Sequence, residues 1–238
     1  MSPSRRTLLW LAVAAVLAVV VAYQTVTTVG HRSRALAASA GMPTVAPGVD
    51  VLAGITVVPA RTHRYDYRRA QFGNAWDDDN DAPGGHNGCD TRDDILNRDL
   101  VDITHVSTRR CADAVAAGTL HDPYTNAVVA FTRGAKVGEA VQIDHIVPLA
   151  YAWDMGASAW SYRQRLRFAN DPANLLAVAG QANQDKADGG PGQWMPPNRA
   201  FACQYAIAYL AVLRGYALRV DQPSADALRV AAGTCPIA

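Results

Sequence analysis

Sixteen consecutive residues near the N-terminus, Leu8–Tyr23 (LLWLAVAAVLAVVVAY), carry no charge, and the pair Arg5-Arg6 stands just ahead of them. A positive n-region followed by an apolar h-region is the pattern of an export signal. Extended through Val29, the run reaches about 22 residues, enough at ~1.5 Å rise per residue to cross a hydrocarbon layer of ~30 Å. Ala38-Ser39-Ala40 resembles a cleavage site but lies far beyond the apolar core. Residues 1–30 therefore fit a removed signal peptide or an N-terminal membrane anchor, and both readings stay open. In either case the remainder is expected to fold after export, as a secreted protein or at the outer face of the cytoplasmic membrane.

Export decides what the cysteines can be. Cys89, Cys111, Cys203 and Cys235 all lie in the translocated part, and no C-x-x-C pair suggests zinc or a redox motif. Two disulfides are expected in an oxidising compartment. Of the three possible pairings the sequence-local one is favoured, Cys89 with Cys111 and Cys203 with Cys235. Each bridge would close a loop worth roughly 3 to 4 kcal/mol in the chain-entropy account.

Charge narrows the classes of partner. The net charge of +1 over 238 residues hides an asymmetry, since Arg5, Arg6, Arg32 and Arg34 lie in the first 40 positions and no acid does. Beyond residue 40, 18 basic residues face 21 acidic ones. A strongly basic nucleic-acid binder is excluded, so any role on nucleic acid must rest on a local site.

Residues 31–62 are rich in Ala, Gly, Pro and Val without helical or alternating periodicity, and are expected to be a linker. The domain is expected over 63–238. YDYRRAQFGNAW opens it with four aromatics, followed by the acidic stretch DDDNDAPGGHNGCD. Asp77, Asp78, Asp79 and Asp81 resemble the start of a calcium loop, but no glutamate closes it at the required spacing, and a solvated turn is preferred. Thr91 is placed to N-cap a helix with Ile95, Leu96 and Leu100 as its apolar stripe. Strands are expected at 127–132 and 140–147, a helix over 157–169, a short strand at 174–178, and a helix from Gln181 to Lys186 ended by Gly189-Gly190. A buried helix over 199–214 and a short one over 224–232, capped by Ser224, complete the chain. The fold class is α+β.

Several mechanisms have no support. The chain contains no G-x-x-x-x-G-K-[ST], G-x-G-x-x-G, H-E-x-x-H or G-x-S-x-G, and cysteines committed to disulfides are not nucleophiles. What stands out is Ile143-Asp144-His145-Ile146-Val147-Pro148-Leu149. A carboxylate and an imidazole interrupt an apolar strand, at a cost of several kcal/mol unless they are paired. Adjacent strand residues point to opposite faces, so the two converge on one site only if the strand ends there. Downstream, Asn174 opens the next strand, Asn183 follows nine residues later on a helix, and Lys186 lies one turn beyond.

This order, Asp-His on a strand, then Asn at the next strand and Asn on the following helix, resembles the HNH or His-Me finger nucleases. The Asp-His-Asn-Asn variant resembles the HNH domain of RNA-guided bacterial nucleases. The stretches YDYRRAQFGNAW, CDTRDDIL, HDPYT, QIDHIVPLAYAWDMGASAW, FANDPANLLAV, NQDK and QWMPPNRAFACQY carry a closer resemblance, to exported actinobacterial HNH proteins related to the C-terminal domain of GmrSD-type restriction enzymes. It covers about residues 63–235. The resemblance implies a small ββα-metal core surrounded by helices, and an endonuclease that leaves a 5′ phosphate.

The residue chemistry agrees. Phosphodiester hydrolysis needs a base to activate water and a cation to stabilise charge on the phosphate. His145 is the expected base, with a pKa near neutrality. Asp144 and the side-chain oxygen of Asn183 are hard ligands suited to one divalent ion, Mg²⁺ first, Mn²⁺ next, Zn²⁺ disfavoured. By resemblance Asn174 would fix the loop and orient His145, with Asn170 as a rival. Lys186 and Arg92 are the expected phosphate contacts. The expected partner is nucleic acid, DNA ahead of RNA, with membrane contact only through the N-terminal segment and no protein partner. The competing reading is an exported binding protein that keeps the scaffold without catalysis.

Overall fold

The computed structural model describes residues 42–134 and 139–237. The export and anchor readings of residues 1–30, and the first part of the expected linker, lie outside the described residues. Among the described residues no helix is long and apolar enough to cross a membrane.

In chain order the main elements are β1 (Val57–Val58), α1 (Thr91–Asp99), β2 (Leu100–Val106), β3 (Ala114–His121), β4 (Val128–Thr132), β5 (Val141–His145), α2 (Leu149–Met155), α3 (Tyr162–Asn170), β6 (Leu175–Ala179), α4 (Gly180–Lys186), α5 (Ala202–Gly215), β7 (Val220–Asp221) and α6 (Gln222–Ala232). The mixed content confirms the α+β class. Among the described residues three small sheets form: β1 beside β7, the antiparallel β2-β3-β4, and the antiparallel pair β5-β6.

The β5-β6 pair sits between two cores. Val141 and Ile143 of β5, with Leu175 and Ala177 of β6, face a cluster completed by Ile95 and Leu96 of α1 and by Phe131. Successive strand residues point to opposite faces, so Val178 joins the other and larger cluster, built from α2, α3, α5 and α6. His145 pairs with Leu175 and Asp144 with Leu176. The chain then turns directly into α4. Gly180 N donates to Ala140 O at 2.9 Å, and a Cβ at Gly180 would overlap the carbonyl oxygen of Glu139. Glycine is required at that corner because strand and helix approach so closely. The result is two antiparallel strands followed by a helix packed on both of them.

Other local expectations are revised. Asp90, rather than Thr91, caps α1, its carboxylate accepting from Asp93 N at 2.8 Å; the Thr91 hydroxyl instead donates to Asn170 Oδ1. Likewise Asp221, rather than Ser224, caps α6. The strands at 128–132 and 141–145 belong to different sheets. Part of the stretch read as a linker is built into the fold: Pro43–Ala238 forms one unit, Leu52 and Ile55 are core residues, and Val57-Val58 pairs with Val220-Asp221. Composition concealed this, because the described part of the stretch sends few side chains inward, Val51, Leu52, Ile55, Val57 and Val58, and a two-residue strand has no period.

Cys89–Cys111 and Cys203–Cys235 are both bonded, with Cα separations of 4.5 and 5.0 Å. The acidic stretch is internally tied, since the Asp78 carboxylate accepts from Asn87 N and Gly88 N.

Candidate active site

Strand β5 ends at His145, the condition under which neighbouring Asp144 and His145 can serve one site. The chain beyond is clamped by Asn174. Ile146 N donates to the Asn174 carbonyl at 2.8 Å, Val147 N to Asn174 Oδ1 at 2.8 Å, and Asn174 Nδ2 to Val147 O at 3.3 Å. Asn174 is fully buried, so this clamp replaces its contacts with water.

His145 is buried as well, 7% exposed. Its Nε2 lies 2.9 Å from the carbonyl oxygen of Ala169, in α3. A carbonyl can only accept, so Nε2 carries the proton and Nδ1 keeps the lone pair in the neutral ring. The Trp76 indole stacks on the imidazole, with centroids 5.5 Å apart and planes within 12°. Burial pushes the His145 pKa down to about 3 against the supporting bond to Ala169, with the charges of Arg69 and Lys186 acting in the same direction as burial. The expected near-neutral pKa is thus not that of the free protein: desolvation outweighs the hydrogen bond.

Asp144 faces a different set of groups. Lys186 Nζ donates to Oδ1 at 2.9 Å and to Oδ2 at 2.6 Å, and its third donor reaches the His145 carbonyl at 2.7 Å. The Tyr124 hydroxyl donates to Oδ2 at 2.5 Å. Burial, then the Asp144 charge, drives the Tyr124 pKa well up, so this hydroxyl stays a donor. For Lys186, burial lowers the pKa while Asp144 opposes it. Asn183, on α4, donates from Nδ2 to Gln142 Oε1 at 2.8 Å. Gln142, Asp144, His145 and Asn183 share a cleft of about 420 Å³, with Tyr67 and Arg69 on its wall. Among the described residues no group of three or more His, Cys, Asp or Glu could hold a metal ion.

Residues 90–230, more than half of the chain, match the family of the GmrSD restriction endonucleases, C-terminal domain. The chain belongs to this family. It is also similar to an uncharacterized secreted protein of Arthroderma benhamiae, 36% identical over 149 residues, which are 62% of this chain and 68% of that relative. No solved structure matches the chain.

Within this GmrSD C-terminal domain, the structure brings Asp144, His145 and Asn183 to one cleft and puts Asn174 behind it, on the loop. The expected phosphate contacts are corrected. Lys186 is 1% exposed and its three donors are spent on Asp144 and the His145 carbonyl, which leaves none for a phosphate. Arg92 does not line the cleft; it donates to the Val141 carbonyl at 2.9 Å and lies over the Phe131 ring, tying α1 to the sheets. Asn170 is not the orienting residue either, since it bridges Thr91 and the Leu166 carbonyl. Tyr124, Trp76 and the Ala169 carbonyl also touch the two central side chains, and they lie outside the residues that the Asp-His, Asn, Asn order marks. Tyr124 lies in a short polar turn, and nothing in its local spacing points to Asp144, 20 residues away.

Proposed function

We propose that this chain is an exported, divalent-metal-dependent endonuclease that hydrolyses phosphodiester bonds, of DNA ahead of RNA. The observation that carries this reading is the neutral His145, whose Nε2 is committed to Ala169, whose Nδ1 keeps its lone pair, and which lines one cleft with Asp144 and Asn183. Membership of a restriction-endonuclease family supports the substrate class. The apolar N-terminal run, the two disulfides and the secreted relative support export.

The donor chemistry of the cleft fits a Mg²⁺-like ion. A carboxylate offers about four lone-pair sites; Lys186 and Tyr124 occupy three at Asp144, and the Asn183 amide turns its N–H to Gln142, which leaves its oxygen to coordinate. Asp144 and Asn183 would hold the ion, Mg²⁺ or Mn²⁺ ahead of Zn²⁺, with water and substrate phosphate as the other ligands. When bound, the ion supplies charge stabilisation at the phosphate and the leaving oxygen. His145 Nδ1 takes a proton from water as the water oxygen attacks phosphorus, and the 3′ oxygen departs to leave a 5′ phosphate. Negative charge of the substrate beside the ring raises the His145 pKa in the complex, which assists that transfer. Asn174 keeps the backbone on which the ring is mounted.

The test is plasmid and RNA degradation by the full chain with Mg²⁺ or EDTA, beside His145→Ala. Loss of a general base should slow cleavage by roughly 10² to 10⁴, with circular dichroism showing the fold retained. Equal cleavage by the variant, or none by the parent with any divalent metal on either substrate, sinks the reading.

A further inference from the structure

Correcting Lys186 and Arg92 leaves the cleft without its expected phosphate contact, and the charges on its wall point to a replacement. Three charged residues line it: Arg69, Asp144 and Asp188. Asp144 is neutralised by Lys186 and Asp188 by Arg61 at 2.9 Å. Arg69 is exposed and, among the described residues, makes no ion pair or hydrogen bond through its guanidinium. Its neighbour Arg68 is different, with its guanidinium turned onto the carbonyls of Tyr65 and Tyr67.

Arg69 is also held in place. It begins the short 3-10 turn Arg69–Phe72, whose Phe72 is 2% exposed and packs edge-on against Trp153 at 6.0 Å and beside Phe168 at 6.1 Å. Arg68 N donates to Gln71 Oε1, and Arg165 donates to the Gln71 carbonyl. Arg69 and His145 together line both the main cleft and the small recess walled by Trp76 and Gly73.

We propose that Arg69 is the phosphate-binding residue of this cleft, gripping non-bridging oxygens of the scissile phosphate beside His145. This rests on the nuclease reading above. A planar guanidinium on a fixed turn matches two phosphate oxygens at once, which a lysine cannot do. It also supplies the local positive charge that a slightly acidic domain lacks.

Two measurements on the full chain test it. In the first, a short fluorescent duplex is titrated with His145→Ala and with His145→Ala/Arg69→Ala in EDTA over a series of NaCl concentrations. Losing one phosphate contact should weaken binding roughly tenfold and lower the log–log salt slope by about 0.9; Arg69→Lys in the same background should restore the slope. In the second, plasmid cleavage by Arg69→Ala should fall about a hundredfold, and Arg69→Lys should recover only a fraction of that rate. Unchanged slope and affinity in Arg69→Ala, or cleavage within about twofold of the parent, overturns the proposal while leaving the nuclease reading intact. If the parent binds but never cleaves, the nuclease reading fails, and with it the scissile-phosphate role. A parent that neither binds the duplex nor cleaves DNA or RNA with any divalent metal overturns both.

Discussion

A buried neutral imidazole makes the folded chain sensitive to acid. Free histidine has a pKa of about 6.5, while His145 is held at about 3. Between those values the unfolded chain binds a proton that the folded chain refuses, so stability rises with pH across this window and falls as pH drops from about 6.5 towards about 3. Melting temperatures over that range should decline more steeply for the parent than for His145→Gln, which does not titrate, with the two curves parallel above about pH 7. Equal slopes throughout would refute this account of the ring. Asn174 makes a second prediction at this scale. Asn174→Ala removes the acceptor of Val147 N and leaves a buried N–H without a partner, at a cost of ~1–3 kcal/mol. Asn174→Asp keeps an acceptor for Val147 N but sets a second oxygen against the Val147 carbonyl and buries a charge, so at neutral pH it should lose at least as much. Urea unfolding measures both, and an Asn174→Ala variant as stable as the parent would refute the clamp.

Lys186 acts at the scale of elements, because it is the last residue of α4 and its ammonium is fixed to β5 through Asp144 and the His145 carbonyl. Lys186→Met leaves Asp144 buried and uncompensated, a change that typically costs ~3–5 kcal/mol. Adding Asp144→Asn should recover a large part of that loss, since the orphaned charge is then gone; an additive double variant would show that the pair is uncoupled. These same elements separate what was legible in the sequence from what was not. The strands at 141–145 and 175–179 and the helices α4 and α5 were readable because apolar runs end at polar or glycine residues. The β2-β3 hairpin was not, because β2 exposes most of its residues, with Val101 and Val106 about two-fifths accessible, so it lacks a clear apolar alternation. Helix α2 starts without a side-chain cap and gave no start signal. The spacing Asn183-x-x-Lys186 put both residues on one helical face, yet only tertiary packing determines that the lysine is buried and the asparagine reaches the cleft. Arg69 was invisible for the opposite reason: it resembles every other arginine in the chain until its neighbours are seen to be paired.

For the molecule as a whole, near-zero charge excludes a strongly basic binder, and among the described residues most arginines are spent internally, as with Arg61 on Asp154, Arg98 on Asp99 and Arg165 on the carbonyls of Gln71 and Trp160. Such a domain depends on covalent closure as well as on its core. Cys203, on α5, is bonded to Cys235 just beyond α6, and the chain end there pairs with the entry segment, where Val45 N donates to the Pro236 carbonyl and Val45 bridges Ile237. The bridge therefore holds both ends of the folded unit against α5. Its loop spans 32 residues, which in the chain-entropy account corresponds to roughly 3 to 4 kcal/mol. Cys203→Ser/Cys235→Ser should lower stability to urea by about that amount. The m-value should stay equal or rise, because an uncrosslinked unfolded chain exposes more surface. The cleft lies on β5 and α4, which carry neither cysteine, so His145-dependent cleavage below the lowered midpoint should persist. Loss of cleavage without loss of stability would mean that this disulfide shapes the site rather than the unfolded ensemble.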